Sequence, residues 1–519
     1  MKIRPGTALA AGLVVPCGLL GLLIWDRPDF LISSDTLLPA AFVWDMLHVG
    51  GAWSGFQQPR VPSFVPDLLI FGIVQAVTGS WRVAMAVWVS LILGWLVMIA
   101  SWIATRLARS SSEASTFAFL LLLIPLLTAA VLGFPRFVTD ADRDGYAFPA
   151  LFILMPYSHG GPFLLALTAA ALASRATQNP KLSNVTGLGI LSCAAVSSDL
   201  LSVATLLLPL TMALQCGVVV KTVPWRTAFR LLSASWCGGA IGWIGTRMLD
   251  LQPMRLGSFA AIPDHIILFA AELSSHPGIV ITLAGLAAFL VIDASRRGWR
   301  LWLGGFWPVF AAVSALGSLG VTMLRYEDVW SFRYAIPLIW WVVILAAAAL
   351  AGSDRARQIW PRIVVVIITA GLGLICIADG LHVPRLFDWN LPLAACLRTE
   401  GLSTGLAEYW NARKASAASD WRIDVEQIMP DGSAMLWGND RRWFSQDIHD
   451  STRRPMYRFI VMGGLEAGKI VAVFGKPDRV VTCASEIVWV YDDAQQLYEN
   501  LVRATASTGS SHDLYRNSR

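Results

Sequence analysis

Asp35 stands in the run Ser33-Ser34-Asp35-Thr36, directly ahead of an apolar stretch. An acid in a partly dehydrated place can act as a general base toward a hydroxyl, and the same carboxylate could hold a divalent metal ion. The run is also a good helix start, so Ser34 or Asp35 could simply cap a helix formed by that stretch. Arg60 and Asp67 lie further on, in a stretch stiffened by Pro59, Pro62 and Pro66. Arg60 could pair with a phosphate or with lipid headgroups. Asp67 reads either as a first-turn acid after a proline or as a substrate ligand. His159 precedes Gly160-Gly161, and Asp199 follows Ser197-Ser198 in a tight turn. Each could bind a substrate hydroxyl, and each has a plain alternative as an interfacial histidine or a helix cap. Arg325 and Arg333 flank a segment rich in tyrosine and tryptophan. Two guanidinium groups there could clamp a phosphate or pyrophosphate, or could anchor an aromatic belt. The acids of Asp140–Asp144 read as a solvated loop. Asp45, ten residues beyond Asp35, reads as the polar face of the same helix.

The elements that position these residues are read from hydropathy. The chain is 55% hydrophobic and 14% charged over 519 residues, well below the charge of a soluble protein of this size. Apolar runs able to cross a bilayer recur along it, which predicts a polytopic α-helical membrane protein of about eleven spans. They fall near 7–25, 82–105, 115–134, 153–174, 182–198, 200–220, 231–249, 278–294, 301–321, 335–351 and 362–379. The first follows Lys2 and Arg4 and reads as an uncleaved helix, because no small-residue cleavage site comes after it.

One set of short loops holds 15 Lys/Arg against Glu113, Asp293 and Asp354. The positive-inside rule puts that set, with the N-terminus, in the cytoplasm. The C-terminal segment then lies outside, in the periplasmic or extracellular space of a cell inner (plasma) membrane. Every candidate residue falls on the outer side. The first outer loop, 26–81, is the longest and carries two apolar stretches, 37–49 and 67–77, too short to cross and suited to interfacial helices. A third amphipathic stretch covers 265–273.

The chain thus divides into a membrane domain, 1–380, and a C-terminal soluble α+β domain, 381–519. In the latter, the run 405–415 reads as a helix. The runs 421–429, 456–462, 469–475 and 485–492 read as strands, and 492–506 as a closing helix. Cys396 and Cys483 are the only cysteines of this exported part, and an oxidising compartment favours a disulfide between them. The other five lie in apolar runs. No Cys/His cluster suggests a structural metal, and no basic stripe with interleaved aromatics suggests nucleic acid.

The order of these features resembles the GT-C superfamily of membrane glycosyltransferases, which includes aminoarabinose transferases and protein O-mannosyltransferases. The resemblance rests on "SSDTLLPAAFVWDMLHVGGAW" and "VPDLLIFGIVQAVTGSWRVAMAVW". Here a first span is succeeded by an outer loop that opens on an acid, an interfacial helix ending near Gly51-Ala52-Trp53, and a proline-led second helix. In pattern it covers about 1–109, and beyond that only the topology. It implies that Asp35 is the catalytic acid. Thr36 stands where many members carry a second acid, which argues against a two-carboxylate metal site. His159 stands where members often have an acid, and Asp199 where some have a basic residue.

The function this implies is an inverting transfer of a hexose or pentose from a polyprenyl-phosphate-linked donor to a lipid or glycan acceptor on the outer face, among membrane lipids. Asp35 would take the acceptor proton. Arg333, with Arg60 and Arg325, would meet the departing phosphate, and Asp67, Asp199 and His159 would complete substrate binding. The rivals are a transporter or flippase of a lipid-linked or anionic molecule, which would want internal symmetry, and a non-catalytic scaffold of polysaccharide assembly.

Overall fold

The computed structural model describes residues 34–51, 53–59, 61–108, 149–249, 258–275, 305–326, 329–352, 392–447 and 452–507, with single positions or short runs within 110–123, 284–295 and at 450. The chain divides into a helical region and a C-terminal sheet domain.

The helical region opens with α1 (Ser34–Trp44), which runs on through a wider turn at Asp45–Val49. Gly50 ends it in the left-handed conformation, φ 76°, where a side chain would be strained. Pro39 lies inside α1. A wide turn at Phe64–Leu68 leads into α2 (Leu69–Thr78), which Gly79 stops, and α3 (Trp81–Ala108) comes next. After it come α4 (Gly160–Gln178), α5 (Leu182–Ser198), α6 (Leu208–Val219) and α7 (Trp225–Arg247). The region ends with α8 (Ile262–Ser275), α9 (Phe306–Arg325) and α10 (Ile336–Ala351).

Three helices among the described residues are long and apolar enough to cross a membrane: Trp81–Ala108, Phe306–Arg325 and Ser331–Ala351. The expected spans 182–198 and 200–220 are helical but short, at Leu182–Ser198 and Val203–Val219. The expected span 153–174 begins later, at Gly160, because a 3-10 turn at Pro149–Leu154 and positive φ at Tyr157 and His159 interrupt it. The expected spans 7–25 and 362–379 lie outside the described residues, as do most of 115–134 and 278–294 and the boundary near 380. The three shorter apolar stretches are helical as expected, at Ser34–Trp44, Leu69–Thr78 and Ile262–Ser275.

Packing depends on small residues. α5 lies against α7 and α4, α6 against α9, and α10 against α3. A Cβ added at Gly238 would stand 2.1 Å from the Gly189 carbonyl oxygen, so only glycine permits the α5–α7 approach. Ser192 and Ser235 hydrogen-bond across the same contact at 2.9 Å.

The C-terminal domain begins with α11 (Pro392–Thr399) and continues through β1 (Thr404–Glu408), α12 (Tyr409–Ala418) and β2 (Asp424–Ile428). Then come β3 (Phe459–Val461), α13 (Ala467–Phe474), β4 (Arg479–Cys483), β5 (Glu486–Val490) and α14 (Ala494–Ser507). The strand order is β2-β1-β3-β5-β4. β1 pairs parallel with β2 and β3, while β5 is antiparallel to β3 and β4. Alternate strand residues build two cores. Ala407, Phe459, Val461, Val488 and Val490 face α11 and α12, whereas Leu406 and Ile460 face α13 and α14.

The sheet is mixed: a parallel β-α-β crossover joins β1 to β2, β5 runs antiparallel to both of its neighbours, and helices cover both faces. The run 469–475 is α13 rather than a strand, and it buries Ile470 and Phe474 one helical turn apart. The segment expected to be one helix is strand β1 to Glu408 and helix from Tyr409. Cys396 on α11 and Cys483 on β4 form a disulfide, with Cα atoms 5.4 Å apart. Cys237 lies exposed on α7.

Candidate functional site

Asp35 sits in the first turn of α1, buried to 6% exposure. Its carboxylate does not turn back to cap α1. Oδ2 meets Arg333 Nη1 at 3.2 Å, and Oδ1 accepts a hydrogen bond from the Tyr409 hydroxyl. Arg333 is delivered by the 3-10 turn Val329–Ala335 ahead of α10. Tyr409 opens α12, where the Glu408 carboxylate caps the helix by accepting from Trp410 N at 2.8 Å. The contact has a backbone counterpart. Ser34 Oγ donates to the Tyr409 carbonyl, and Arg413, one turn along α12, donates to the Ser34 carbonyl at 3.0 Å. Arg413 is itself held by Asn439 Oδ1 at 2.7 Å and by the Gly438 carbonyl. Burial pushes the Tyr409 phenol well above its usual range, and the Asp35 charge adds to this, so it remains a donor.

His159 and Asp199 form the second pair. Nδ1 of the imidazole lies 2.6 Å from Asp199 Oδ2, and both side chains are 4% exposed. Asp199 Oδ1 also accepts from Leu201 N at 2.9 Å, so it orders the turn between α5 and α6 while it holds the ring. His159 has φ 68° and Tyr157 φ 63°. Non-glycine residues in this conformation are costly and cluster where the surroundings over-determine them. Tyr334 joins the two pairs. Its ring centroid is 4.9 Å from that of His159, and the guanidinium carbons of Arg333 and Arg325 stand 5.6 and 6.0 Å from its ring. Arg333, Arg325 and His159 thus border one tyrosine, with Asp35 linked to it through Arg333 and Asp199 through His159.

Asp67 stands in the first turn of the Phe64–Leu68 helix, directly after Pro66, as one of its two readings expects. Its Oδ2 accepts from Ser63 Oγ at 2.7 Å and from Tyr157 N at 2.7 Å, and its Oδ1 from Trp88 Nε1 at 3.1 Å. These three donors tie the strained Tyr157–His159 segment to the turn ahead of α2 and to α3. A Cβ at Gly161 would stand 2.6 Å from its Oδ1, so the glycine admits this acid. Arg60 and the acids of 140–144 lie outside the described residues.

Asp45 is not a solvated polar face. It is 1% exposed and accepts from Arg442 Nη2 at 2.8 Å and Trp443 Nε1 at 2.9 Å, both on the C-terminal domain. Burial pushes its carboxyl up to about 6; Asp440 adds to the rise, and Trp443 and Arg442 oppose it. Beside it, a cavity of ≈ 30 Å³ is lined by Arg413, Trp421, Asp424 and Glu426 among others. Burial, reinforced by Asp424, pushes Glu426 well above the usual carboxylate range. Further along, Phe56 and Gln57 form bridges to Asp440 and Trp437, and Gln57 N donates to the Asn439 carbonyl at 3.1 Å.

Sequence reasoning missed Tyr409, Arg413 and the Asp45 contacts. Nothing local to 405–415 signals a partner so distant in the chain, 374 positions away for Tyr409 and Asp35. Among the described residues, no group of three or more His, Cys, Asp or Glu side chains is arranged to hold a metal ion. No protein-family model matches this chain, and no curated protein matches it.

Proposed function

We propose that this chain is an inverting glycosyltransferase of GT-C type. In this reading the helical region crosses the membrane about eleven times, with the N-terminus cytoplasmic and the C-terminal domain on the outer, periplasmic face. A sugar passes from a polyprenyl-phosphate carrier to a lipid or glycan hydroxyl. The observation that carries the reading is that Tyr334 borders Arg325, Arg333 and His159, and that these hold Asp35 and Asp199, Asp35 by Arg333 and Asp199 by His159.

The chemistry is derived from that set. The acceptor oxygen forms a bond to the anomeric carbon as the bond from that carbon to the phosphate oxygen breaks, with inversion. The acceptor proton passes to Asp35. The negative charge left on the phosphate falls to Arg333 and Arg325, which both stand by the Tyr334 ring. The His159–Asp199 pair offers the remaining imidazole nitrogen to a sugar or acceptor hydroxyl.

One observation favours a second reading. Both Asp35 oxygens are engaged, one of them by the C-terminal domain, as a purely structural docking point would be. In that case the chain is a scaffold. The deciding experiment gives the full-length protein in lipid vesicles a polyprenyl-phospho-sugar, with the Asp35→Asn variant alongside. Sugar transfer by the native protein and its loss in the variant support the enzyme. Equal behaviour of the two, with the variant restoring a deletion strain, leaves the scaffold.

A further inference from the structure

We propose that Tyr409 is a positioning residue for Asp35, supplied by the C-terminal domain, so that the site is complete only while that domain is docked on α1. The inference rests on the reading of Asp35 as the base.

A carboxylate rotates easily about its last side-chain bond, where the energy wells are broad. Arg333 alone, at Oδ2, would leave the plane of the Asp35 carboxylate loosely set. Tyr409 adds a donor at Oδ1 from a different part of the chain, and two anchors on two oxygens fix the plane. The tyrosine cannot follow a swinging carboxylate. It is 7% exposed, with its ring centroid 4.8 Å from Trp410 and 5.3 Å from Trp437. Its backbone is tied at the same place, its carbonyl accepting from Ser34 Oγ and, at 3.4 Å, from Gln427 Nε2. A carboxylate has about four lone-pair directions, so two anchors leave room for an acceptor hydroxyl. Tyr409 transfers no proton itself. Its contribution is the orientation of the base, and that orientation depends on domain docking.

The second docking point makes the dependence testable. Asp45 is held by Arg442 and Trp443, ten residues along α1 from Asp35 and about 15 Å away at the helical rise. Arg442 bonds to Asp45, Asp440 and the Gly50 carbonyl rather than to Asp35, so a change there reaches the base only through the domain.

The test uses full-length protein in vesicles with a polyprenyl-phospho-sugar donor. Tyr409→Phe keeps the ring and removes the hydroxyl. It is expected to lower kcat about 10–100-fold, the scale of a hydrogen bond to a charged group, with the donor KM within about twofold. Arg442→Ala should lower kcat in the same direction. Combined with Tyr409→Phe it should cost less than the product of the two losses. A second measurement needs no activity: a double-mutant cycle on thermal unfolding with Tyr409→Phe and Asp35→Asn should be non-additive. Wild-type or raised kcat in Tyr409→Phe overturns the proposal, because the hydroxyl would then be idle or obstructive. Additive unfolding with native transfer intact overturns this role alone. Absence of transfer by the native protein overturns the glycosyltransferase reading and this role with it.

Discussion

Asp35 and Asp45 leave the same helix ten residues apart and both are buried, yet they meet different company. Asp35 is shared between two regions: Arg333 reaches it from the turn ahead of α10, and Tyr409 from the C-terminal domain. Asp45 is held on both oxygens by Arg442 and Trp443 of the C-terminal domain. The first is a junction, and Tyr334 extends it to a histidine–aspartate pair and a second arginine. The second is a latch. A helix that reads as one amphipathic stretch thus serves two purposes, and the partners rather than the aspartates distinguish them.

Four experiments can break or sharpen that distinction. Asp35→Asn removes the proposed base and should lower sugar transfer about 10²–10⁴-fold, the usual range for a general base. Asp45→Asn in the same assay should lose less, within about tenfold of native protein, since the latch reaches Asp35 only through docking. Equal losses in the two variants would erase the comparison.

The disulfide bears on the latch side alone. Cys396→Ser opens the link between α11 and β4. Thermal unfolding of the C-terminal domain should then show a loss of about 2–5 kcal/mol. Arg442→Ala leaves the buried Asp45 charge with one donor fewer and should destabilise docking by about 1–3 kcal/mol. Limited proteolysis would read this as faster cutting between the two regions.

The smallest effect is one of pH. The folded-state carboxyl of Asp45 titrates near 6, above its ordinary value of 3.8. A raised acid favours the folded form while it is protonated. Docking stability should therefore decline as pH rises from about 4 to 6 and level off above that. Asp45→Asn should flatten the slope in a melting series across those pH values.

Much of the helical layout was legible because hydropathy acts locally. α3, α9 and α10 and the shorter helices α1, α2 and α8 lie where apolar runs begin and end. Asp35, Arg333, His159 and Asp199 were legible as candidates because polar groups beside apolar runs are costly and few. Their pairing was not, since Asp199 and His159 sit on segments that only packing brings together. Asp67 reads as a cap because it comes directly after Pro66; Trp88 and Tyr157, which claim its oxygens, arrive from later in the chain. α13 was hidden because a short, mostly apolar run suits either a strand or a helix. Only the burial of Ile470 and Phe474, four positions apart, decides it. Tyr409 and Arg413 look like ordinary helix residues, and their importance lies wholly in the surface α12 rests against.

Pro39 carries one more consequence. Lacking an N–H, it cannot close a helical hydrogen bond on the Asp35 carbonyl four residues before it. The opening turn of α1 is one internal bond short, at the point where Arg413 donates to the neighbouring Ser34 carbonyl. The C-terminal domain therefore acts as an external splint for that turn. Amide hydrogen exchange should record it: loosening the Arg442 latch should speed exchange at Leu37 and Leu38 while leaving the middle of α3 protected.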